Sequence, residues 1–233
     1  MFRVPTSAFR VGEELLQEHH LTVSRTARYF TLGESPRGVE EVWFACHGYA
    51  QLAGRFLEKL RVLEDRKRYV VAPEGLSRFY LTESPAERRV GASWMTREDR
   101  LHEIDDYVRY LDALYREVLG RVEGPAARVA ALGFSQGTAT VSRWAALGQS
   151  RLHHVVLWGG ELPPDLDLAA SRDRLRDVHF TLVYGERDEY ITRKVVDGMV
   201  ARLREHDIPH SVRPFDGGHG LDEGVLRELV ART

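Results

Sequence analysis

The chain contains a single cysteine, Cys46, and therefore cannot form an internal disulfide bond. No CxxC pair or Cys/His spacing indicates a structural zinc site, so the sequence predicts no metal. Long apolar runs are also lacking, and no stretch approaches the roughly 20 residues that a membrane-spanning helix needs. The first residues contain no apolar segment of signal-peptide length, which favours a cytoplasmic protein.

An excess of charge of either sign is absent as well. The 233 residues include 33 basic and 35 acidic side chains, which gives a formal net charge of −2. This balance offers no electrostatic footprint for nucleic acid or for an anionic membrane. Only three basic residues are lysines, and we interpret the arginine excess as codon usage, because hyperthermophile proteins are enriched in lysine and glutamate.

The organisation of the chain indicates an α/β fold with a mostly parallel, doubly wound sheet flanked by helices. No repeat or linker divides residues 1–233, so we expect a single domain. Helical apolar stripes separate short apolar runs of the kind found in strands buried on both faces. These runs are residues 42–46, 69–72, 128–134, 154–158, 179–185 and 210–215.

Residues 1–40 are predicted to form the antiparallel edge of the sheet. Within them, residues 21–33 alternate polar with apolar or β-favouring side chains, which is typical of a half-buried strand. In a doubly wound sheet, ligands bind beyond the carboxyl ends of the strands. Functional residues should therefore directly follow the strands.

Ser135 is the candidate nucleophile. It lies at the centre of Gly133-Phe134-Ser135-Gln136-Gly137, a G-x-S-x-G motif between a predicted strand and a predicted helix. The turn is too tight for side chains at its flanks, so glycines stand on both sides of the serine. Such a turn exposes the serine hydroxyl above the sheet. An ordinary serine in a βα turn is the alternative.

His219 is the candidate base, because a serine hydroxyl is a weak nucleophile until a base takes its proton. It lies in a glycine-rich segment, 217–220, just after the last predicted strand. His153, His154, His179 and His210 stand at the start of strands, at the opposite end of the sheet. A histidine that merely caps the loop is the alternative.

Asp188 is the candidate acid that orients the histidine. It directly follows the strand predicted over residues 179–185 and precedes His219. The order Ser135, Asp188, His219 is the order of α/β-hydrolases. Glu161, which follows a neighbouring strand, is the second choice for the acid, and a helix-capping role for Asp188 also stays open.

Two backbone N–H groups are expected to hold the oxyanion. One is that of Gln136, directly after the nucleophile. The other is that of Tyr49, in the loop Cys46-His47-Gly48-Tyr49 after the first buried strand. His47 is expected to bond loop backbone, and Cys46 to lie in the core.

These motifs resemble the α/β-hydrolase superfamily, and within it the phospholipase/carboxylesterase group of acyl-protein-thioesterase-like serine esterases. The resemblance runs from about residue 41 to the C terminus. It rests on FACHGYAQ (44–51), VAPEG (71–75), ASWM (92–95), LGFSQGT (132–138), the 159–160 glycine pair, YGERDEYIT (184–192) and GGHG (217–220).

The resemblance implies an α/β-hydrolase fold without a large cap domain, a Ser-Asp-His triad and no cofactor. The triad falls on Ser135, Asp188 and His219, with Tyr49 and Gln136 as oxyanion donors. The chain departs from the family at two places. Tyr49-Ala50-Gln51 replaces a second glycine and an acidic or amide residue, and Ile191-Thr192 replaces Val-Pro.

The expected reaction is hydrolysis of a small-molecule acyl ester or thioester through an acyl-enzyme. The long segment over residues 73–97 lacks clear periodicity, and loops of this length are often functional. Its residues Phe79, Trp94 and Met95, with Tyr80 and Leu81, are candidate walls of the acyl pocket. Packing of the loop against the fold explains such residues equally well.

Other functions are compatible with the same residues. A serine peptidase or an acyltransferase would use the same triad, and a non-catalytic ligand-binding relative is a further alternative. The sequence does not determine the natural substrate, the acyl chain length or the preference for ester or thioester. A homodimer is compatible with the sequence, which does not determine the oligomeric state.

Overall fold

Strands and helices alternate along the chain in the computed structural model, which describes residues 8–11, 14–33, 37–82, 88–123 and 128–231. The strands are β1 (Ala8–Val11), β2 (Glu14–Gln17), β3 (Tyr29–Leu32), β4 (Glu41–Cys46), β5 (Arg68–Pro73), β6 (Ser77–Tyr80), β7 (Val90–Ser93), β8 (Arg128–Phe134), β9 (His154–Trp158), β10 (His179–Gly185) and β11 (His210–Phe215). The helices are α1 (Ala53–Glu58), α2 (Arg100–Leu119), α3 (Gln136–Leu147), α4 (Arg172–Leu175), α5 (Arg193–Glu205) and α6 (Glu223–Ala231).

Seven of these strands form the central sheet, in the order β11-β10-β9-β8-β4-β5-β3. The neighbours from β11 to β5 pair in parallel, and β3 runs antiparallel to β5 at the edge. This topology confirms the predicted α/β-hydrolase fold with a mostly parallel sheet. The carboxyl ends of β4, β8, β9, β10 and β11 lie along one edge of that sheet, where the candidate site residues follow them.

The sheet is buried on both faces, as the continuous apolar runs predict. Successive residues of a strand point to opposite faces, so Trp43 and Phe44 of β4 enter different core layers. Phe44 packs with Trp144 of α3 on one face, and Trp43 belongs to the layer that contains Leu226 of α6. Burial of each such side chain stabilises the fold by about 1.5–3 kcal/mol.

The N-terminal segment differs from the prediction. Only Tyr29–Leu32 pairs with the sheet, whereas residues 21–28 have no regular secondary structure. Strands β1 and β2 pair with each other and do not extend the sheet. The predicted strand over residues 21–33 is therefore too long, because alternation alone does not provide a pairing partner. Of the predicted edge over residues 1–40, residues 1–7, 12–13 and 34–36 lie outside the described ones.

The segment over residues 73–97 also contains structure that its sequence does not indicate. Strands β6 and β7 form an antiparallel hairpin, whose residues 83–87 lie outside the described ones. An isolated bridge between Gln51 and Ala92 attaches this hairpin to the loop after β4. The hairpin therefore lies beside the edge at which the candidate site residues meet.

The segment between β9 and β10 contains only the one-turn helix α4, and no large cap domain is formed by the described residues. Among the residues that the structure describes, no helix is both long enough and apolar enough to cross a bilayer.

Candidate active site

Ser135 lies in the turn between β8 and α3 with a strained backbone. Its φ and ψ angles are 53° and −116°, a conformation that a residue with a side chain rarely adopts. The Ser135 N–H donates to the carbonyl oxygen of Trp158 on the neighbouring strand at 2.9 Å. This arrangement is the sharp strand-to-helix turn that the G-x-S-x-G motif predicts.

The glycines around Ser135 are required by close backbone approach. A Cβ on Gly137 would lie 2.1 Å from the carbonyl oxygen of Cys46, and one on Gly133 would lie 2.2 Å from that of Gly137. Since these neighbours are backbone atoms, they cannot move aside as a flexible side chain would. The two glycines therefore allow β4, β8 and α3 to converge beneath the serine.

Replacing Gly137 with alanine should lower the free energy of unfolding by about 3 kcal/mol, because the new methyl group overlaps the β4 backbone. Urea denaturation followed by circular dichroism measures this loss. Gly198→Ala in α5 is the matched control, since a Cβ there meets nothing within 4 Å. This control should gain about 0.5–1 kcal/mol from helix propensity. Equal stability of Gly137→Ala and wild type would contradict the close approach.

His219 lies in the loop between β11 and α6, with its ring between two aromatic side chains. The ring centroids of Phe134 and Tyr190 lie 5.2 Å and 5.0 Å from that of His219. The loop is held in place because Trp158 Nε1–H donates to the carbonyl oxygen of Gly220 at 2.8 Å. Sequence reasoning missed the contact between Tyr190 and His219, although Tyr190 is only two positions after Asp188.

Asp188 is buried, and its two carboxylate oxygens accept hydrogen bonds from different partners. His219 Nδ1–H donates to Oδ2 at 2.8 Å. The backbone N–H groups of Tyr190 and Ile191 donate to Oδ1 at 2.8 and 3.1 Å. Both interpretations of Asp188 therefore agree with the geometry, since it fixes the turn before α5 and also faces the histidine.

The charge of Asp188 is maintained by these donors. Burial acts to raise the pKa of its carboxyl group, but the hydrogen bonds from Ile191, His219 and Tyr190 outweigh burial and hold the pKa below its usual value. Asp188 is therefore ionised at neutral pH. An ionised partner stabilises the imidazolium and fixes the hydrogen of the neutral ring on Nδ1.

Glu161, the second choice for the acid, is not the carboxylate that His219 contacts. Its side chain is exposed and lines a cavity at the edge of the sheet. His219 Nδ1 donates to Asp188 instead. Three other histidines lie at the opposite end of the sheet from Ser135, as expected. His154, His179 and His210 are the first residues of β9, β10 and β11.

The loop after β4 is organised by His47, which is fully buried. Its Nδ1–H donates to the carbonyl oxygen of Gly48 at 2.8 Å, and its Nε2 accepts from the Gly75 N–H at 3.0 Å. Burial lowers the pKa of His47, so the ring stays neutral with its hydrogen on Nδ1. Cys46 is buried as well, and burial raises the pKa of its thiol far above the usual range.

The two predicted oxyanion donors are on the two turns that meet at Ser135. Gly48 comes so close to the serine that a Cβ on it would lie 3.2 Å from the Cβ of Ser135. Among the described residues, neither the Tyr49 N–H nor the Gln136 N–H has a hydrogen-bond acceptor. Both donors are thus available to a ligand.

The side chain of Gln136 holds the segment after β7. Its Nε2 donates to the carbonyl oxygen of Met95 at 2.8 Å, and its Oε1 accepts from the Trp94 N–H at 3.1 Å. Trp94 is buried beneath the loop, and its Nε1–H donates to the carbonyl oxygen of His47 at 2.9 Å. Of the three candidate substrate-binding residues, Met95 lines a cavity, Trp94 packs underneath, and Phe79 stacks on Tyr49 at 5.2 Å.

Two cavities lie beside Ser135 and His219. We call them the Lys59 cavity, of about 220 Å³, and the Met95 cavity, of about 420 Å³. The Lys59 cavity is lined by Gly48, Tyr49, Gln51, Phe56, Lys59, Phe134, Ser135, His219, Gly220 and Leu221. The Met95 cavity is lined by Met95, Ser135, Gln136, Ala139, Arg143, Gly159, Gly160, Glu161, Pro163, Pro164, Tyr190, Ile191 and His219.

Arg143 is a site residue that sequence reasoning missed. It is almost fully buried, and its guanidinium donates to Asp165 Oδ1 at 2.8 Å and to Met95 Sδ at 3.3 Å. The helical spacing of Ser135, Ala139 and Arg143 is the signal that could have indicated it, since residues four apart share one helix face.

A comparison with known families agrees with this geometry. A family model described as "Serine hydrolase (FSH1)" matches residues 44–221, most of the chain and all of the site described above. The chain belongs to the FSH1 serine hydrolase family. The resemblance to serine hydrolases of the α/β-hydrolase superfamily is thereby confirmed. A search of curated proteins finds no match.

Solved structures similar to this FSH1-family chain include a carboxylesterase, an acyl-protein thioesterase and an esterase. A carboxylesterase from Mesorhizobium loti aligns with a TM-score of 0.65 and 20% identity, over 89% of this chain and 95% of its own. Zea mays acyl-protein thioesterase 2 aligns with a TM-score of 0.63 and 16% identity, over 88% of this chain and 99% of its own. Esterase PE8 aligns with a TM-score of 0.64 and 17% identity, over 89% of this chain and 98% of its own. At these identities the likeness shows the α/β-hydrolase fold.

Proposed function

We propose that the protein hydrolyses carboxylic esters and thioesters of modest acyl groups through an acyl-enzyme on Ser135. One observation carries the proposal. A serine on a strained turn lines the same two cavities as a histidine whose Nδ1–H donates to a buried, ionised aspartate. The esterases and thioesterases among the similar structures support the same chemistry.

In the first step, His219 Nε2 takes the hydroxyl proton while Ser135 Oγ attacks the acyl carbonyl carbon. The N–H groups of Tyr49 and Gln136 stabilise the oxyanion, and Asp188 stabilises the imidazolium. His219 then gives its proton to the departing alcohol or thiol. In the second step it activates a water molecule, which releases the acid and restores the serine. We propose that the chain acts as one domain, because these groups share one sheet edge.

The Met95 cavity is the proposed acyl site. It is the larger of the two cavities, and Met95, Ala139, Pro163, Pro164 and Ile191 give it an apolar wall. Apolar surface favours burial of an acyl chain by roughly 25 cal/mol per Å². The Lys59 cavity, on the side of Tyr49, is the proposed place of the leaving group. Both cavities are open, which suits small substrates.

Labelling with a fluorophosphonate probe tests the nucleophile directly. We expect one adduct per chain, on the peptide that contains Ser135, because only an activated serine attacks the phosphorus atom. Mass spectrometry of the digested protein locates the adduct. Ser211→Ala in β11, at the opposite end of the sheet, is the control and should label as wild type does. An unlabelled folded protein, or an adduct on another serine, would refute the proposal.

A further inference from the structure

A second group of chemically active side chains lies away from Ser135, and we call it the His20–His102 cluster. It consists of Glu18, His20, Asp99 and His102. His20 Nε2 lies 3.2 Å from Glu18 Oε1 and 3.3 Å from Asp99 Oδ2. His102 Nδ1–H donates to the other oxygen of Asp99 at 2.6 Å.

The cluster joins two segments that are distant in the sequence. Glu18 and His20 follow β2, in the segment without regular secondary structure, while Asp99 directly precedes α2 and His102 lies in its first turn. The two imidazole rings stack with centroids 3.9 Å apart.

The separation of His20 Nε2 from Asp99 Oδ2 is close to that between two ligand atoms of a tetrahedral metal ion. Zinc binds histidine nitrogen and carboxylate oxygen at about 2.0–2.2 Å, which places neighbouring ligand atoms of a tetrahedron about 3.3–3.5 Å apart. The ligand atoms of His20, Asp99 and His102 all lie within 4.8 Å of one another. We infer that His20 Nε2, His102 Nδ1 and a carboxylate oxygen of Asp99 bind a zinc ion, with a water molecule in the fourth position.

The ligand set determines which metal is expected. Imidazole nitrogens suit zinc and its neighbours in the first transition row, whereas magnesium and calcium take oxygen ligands. Zinc replaces the hydrogen on His102 Nδ1, and the neutral ring then carries its hydrogen on Nε2. The hydrogen bond from His102 to Asp99 is exchanged for two bonds to the metal. The four side chains are about 34–42% exposed, so an ion can reach them from solvent.

A bound ion would attach the segment after β2 to the start of α2. Residues 21–28 that follow have no strand or helix of their own, and Leu21 and Val23 are largely exposed. Only the fold brings the ligands together, which is why their sequence spacing gives no metal signature. The cluster contains none of the residues that line the two cavities, so zinc binding is independent of the proposed esterase activity.

Isothermal titration of the full chain, without an affinity tag, with zinc chloride tests the inference. We expect one zinc ion per chain with a dissociation constant in the micromolar range. His20→Ala and His102→Ala should each weaken this binding by at least about tenfold, since each loses a ligand. His19→Ala is the matched control, because it removes the neighbouring exposed histidine outside the cluster. Magnesium chloride should give no binding heat.

Two results would overturn the inference. One is the absence of zinc binding by the wild-type chain, and the other is wild-type affinity in both His20→Ala and His102→Ala. His20 lies outside helices and strands, so its variant keeps the test valid even if the change within α2 disturbs the fold. Circular dichroism of each variant verifies that the helices are intact.

Discussion

Ser135→Ala is expected to lower kcat/KM for a short p-nitrophenyl ester by about 10⁴-fold or more. The reason is that His219 would then have no hydroxyl to activate, and water would have to attack the substrate directly. The proposed oxyanion donors, the backbone N–H groups of Tyr49 and Gln136, remain in this variant and should account for the residual rate. Initial rates of ester hydrolysis measure the loss.

Ser135→Gly provides a second inactive variant whose stability separates catalysis from folding. Glycine adopts the φ of 53° at this position without the penalty of a Cβ. We therefore expect Ser135→Gly to be as inactive as Ser135→Ala and more stable than wild type by about 1 kcal/mol. Wild-type activity in either variant would show that Ser135 is not the nucleophile.

Asp188→Asn is expected to lower kcat by about 10³- to 10⁴-fold, the effect of fixing the wrong imidazole tautomer. An amide at this position donates to His219 Nδ1, which leaves the ring hydrogen on Nε2, where the serine proton must be accepted. The amide oxygen can still accept from the Tyr190 and Ile191 N–H groups, so the turn should survive. Steady-state kinetics on the same ester measure the change.

Glu161→Gln is the matched control for Asp188→Asn, because Glu161 follows a neighbouring strand and lines the Met95 cavity. It should change kcat by less than about threefold, in line with an exposed carboxylate. A larger loss in Glu161→Gln than in Asp188→Asn would reverse the assignment of the acid.

The stability that wild type gains over Asp188→Asn should decrease in acidic solution. The folded-state pKa of Asp188 is below its unfolded value, so its charge adds stability above about pH 4 and loses this contribution as the pH falls through the folded pKa. The stability difference between wild type and Asp188→Asn should therefore shrink as the solution is acidified below about pH 4.

The strands of the sheet centre could be predicted from the sequence because burial on both faces leaves a continuous apolar run. The bounds of β8, β9 and β10 agree residue for residue with the predicted runs. Those of β11, the partly exposed strand at one edge of the sheet, agree as well. At the opposite edge, β3 has one partner and only four paired residues. There the alternation of side chains continues beyond the paired residues, and the sequence carries no signal for where pairing ends.

The candidate site also has residues that could be predicted from the sequence and residues that could not. Ser135, Asp188 and His219 could be predicted because parallel topology brings the carboxyl ends of strands together, and the structure places Asp188 in contact with His219. The walls of the cavities depend on packing instead. Trp94 is an aromatic residue in a long connection that turns inward, and Arg143 is a charged residue that is buried by its pairing with Asp165. Neither fact follows from residue type.

The double task of Gln136 links two properties that are often treated as separable. Its N–H is a proposed oxyanion donor, while its side chain holds the Met95 segment beside the proposed acyl site. In the proposed mechanism, selectivity for acyl chain length and rate of turnover are therefore coupled through one residue. We expect a change that widens the Met95 cavity by moving this segment to displace the Gln136 N–H as well, and so to slow turnover while it broadens substrate tolerance.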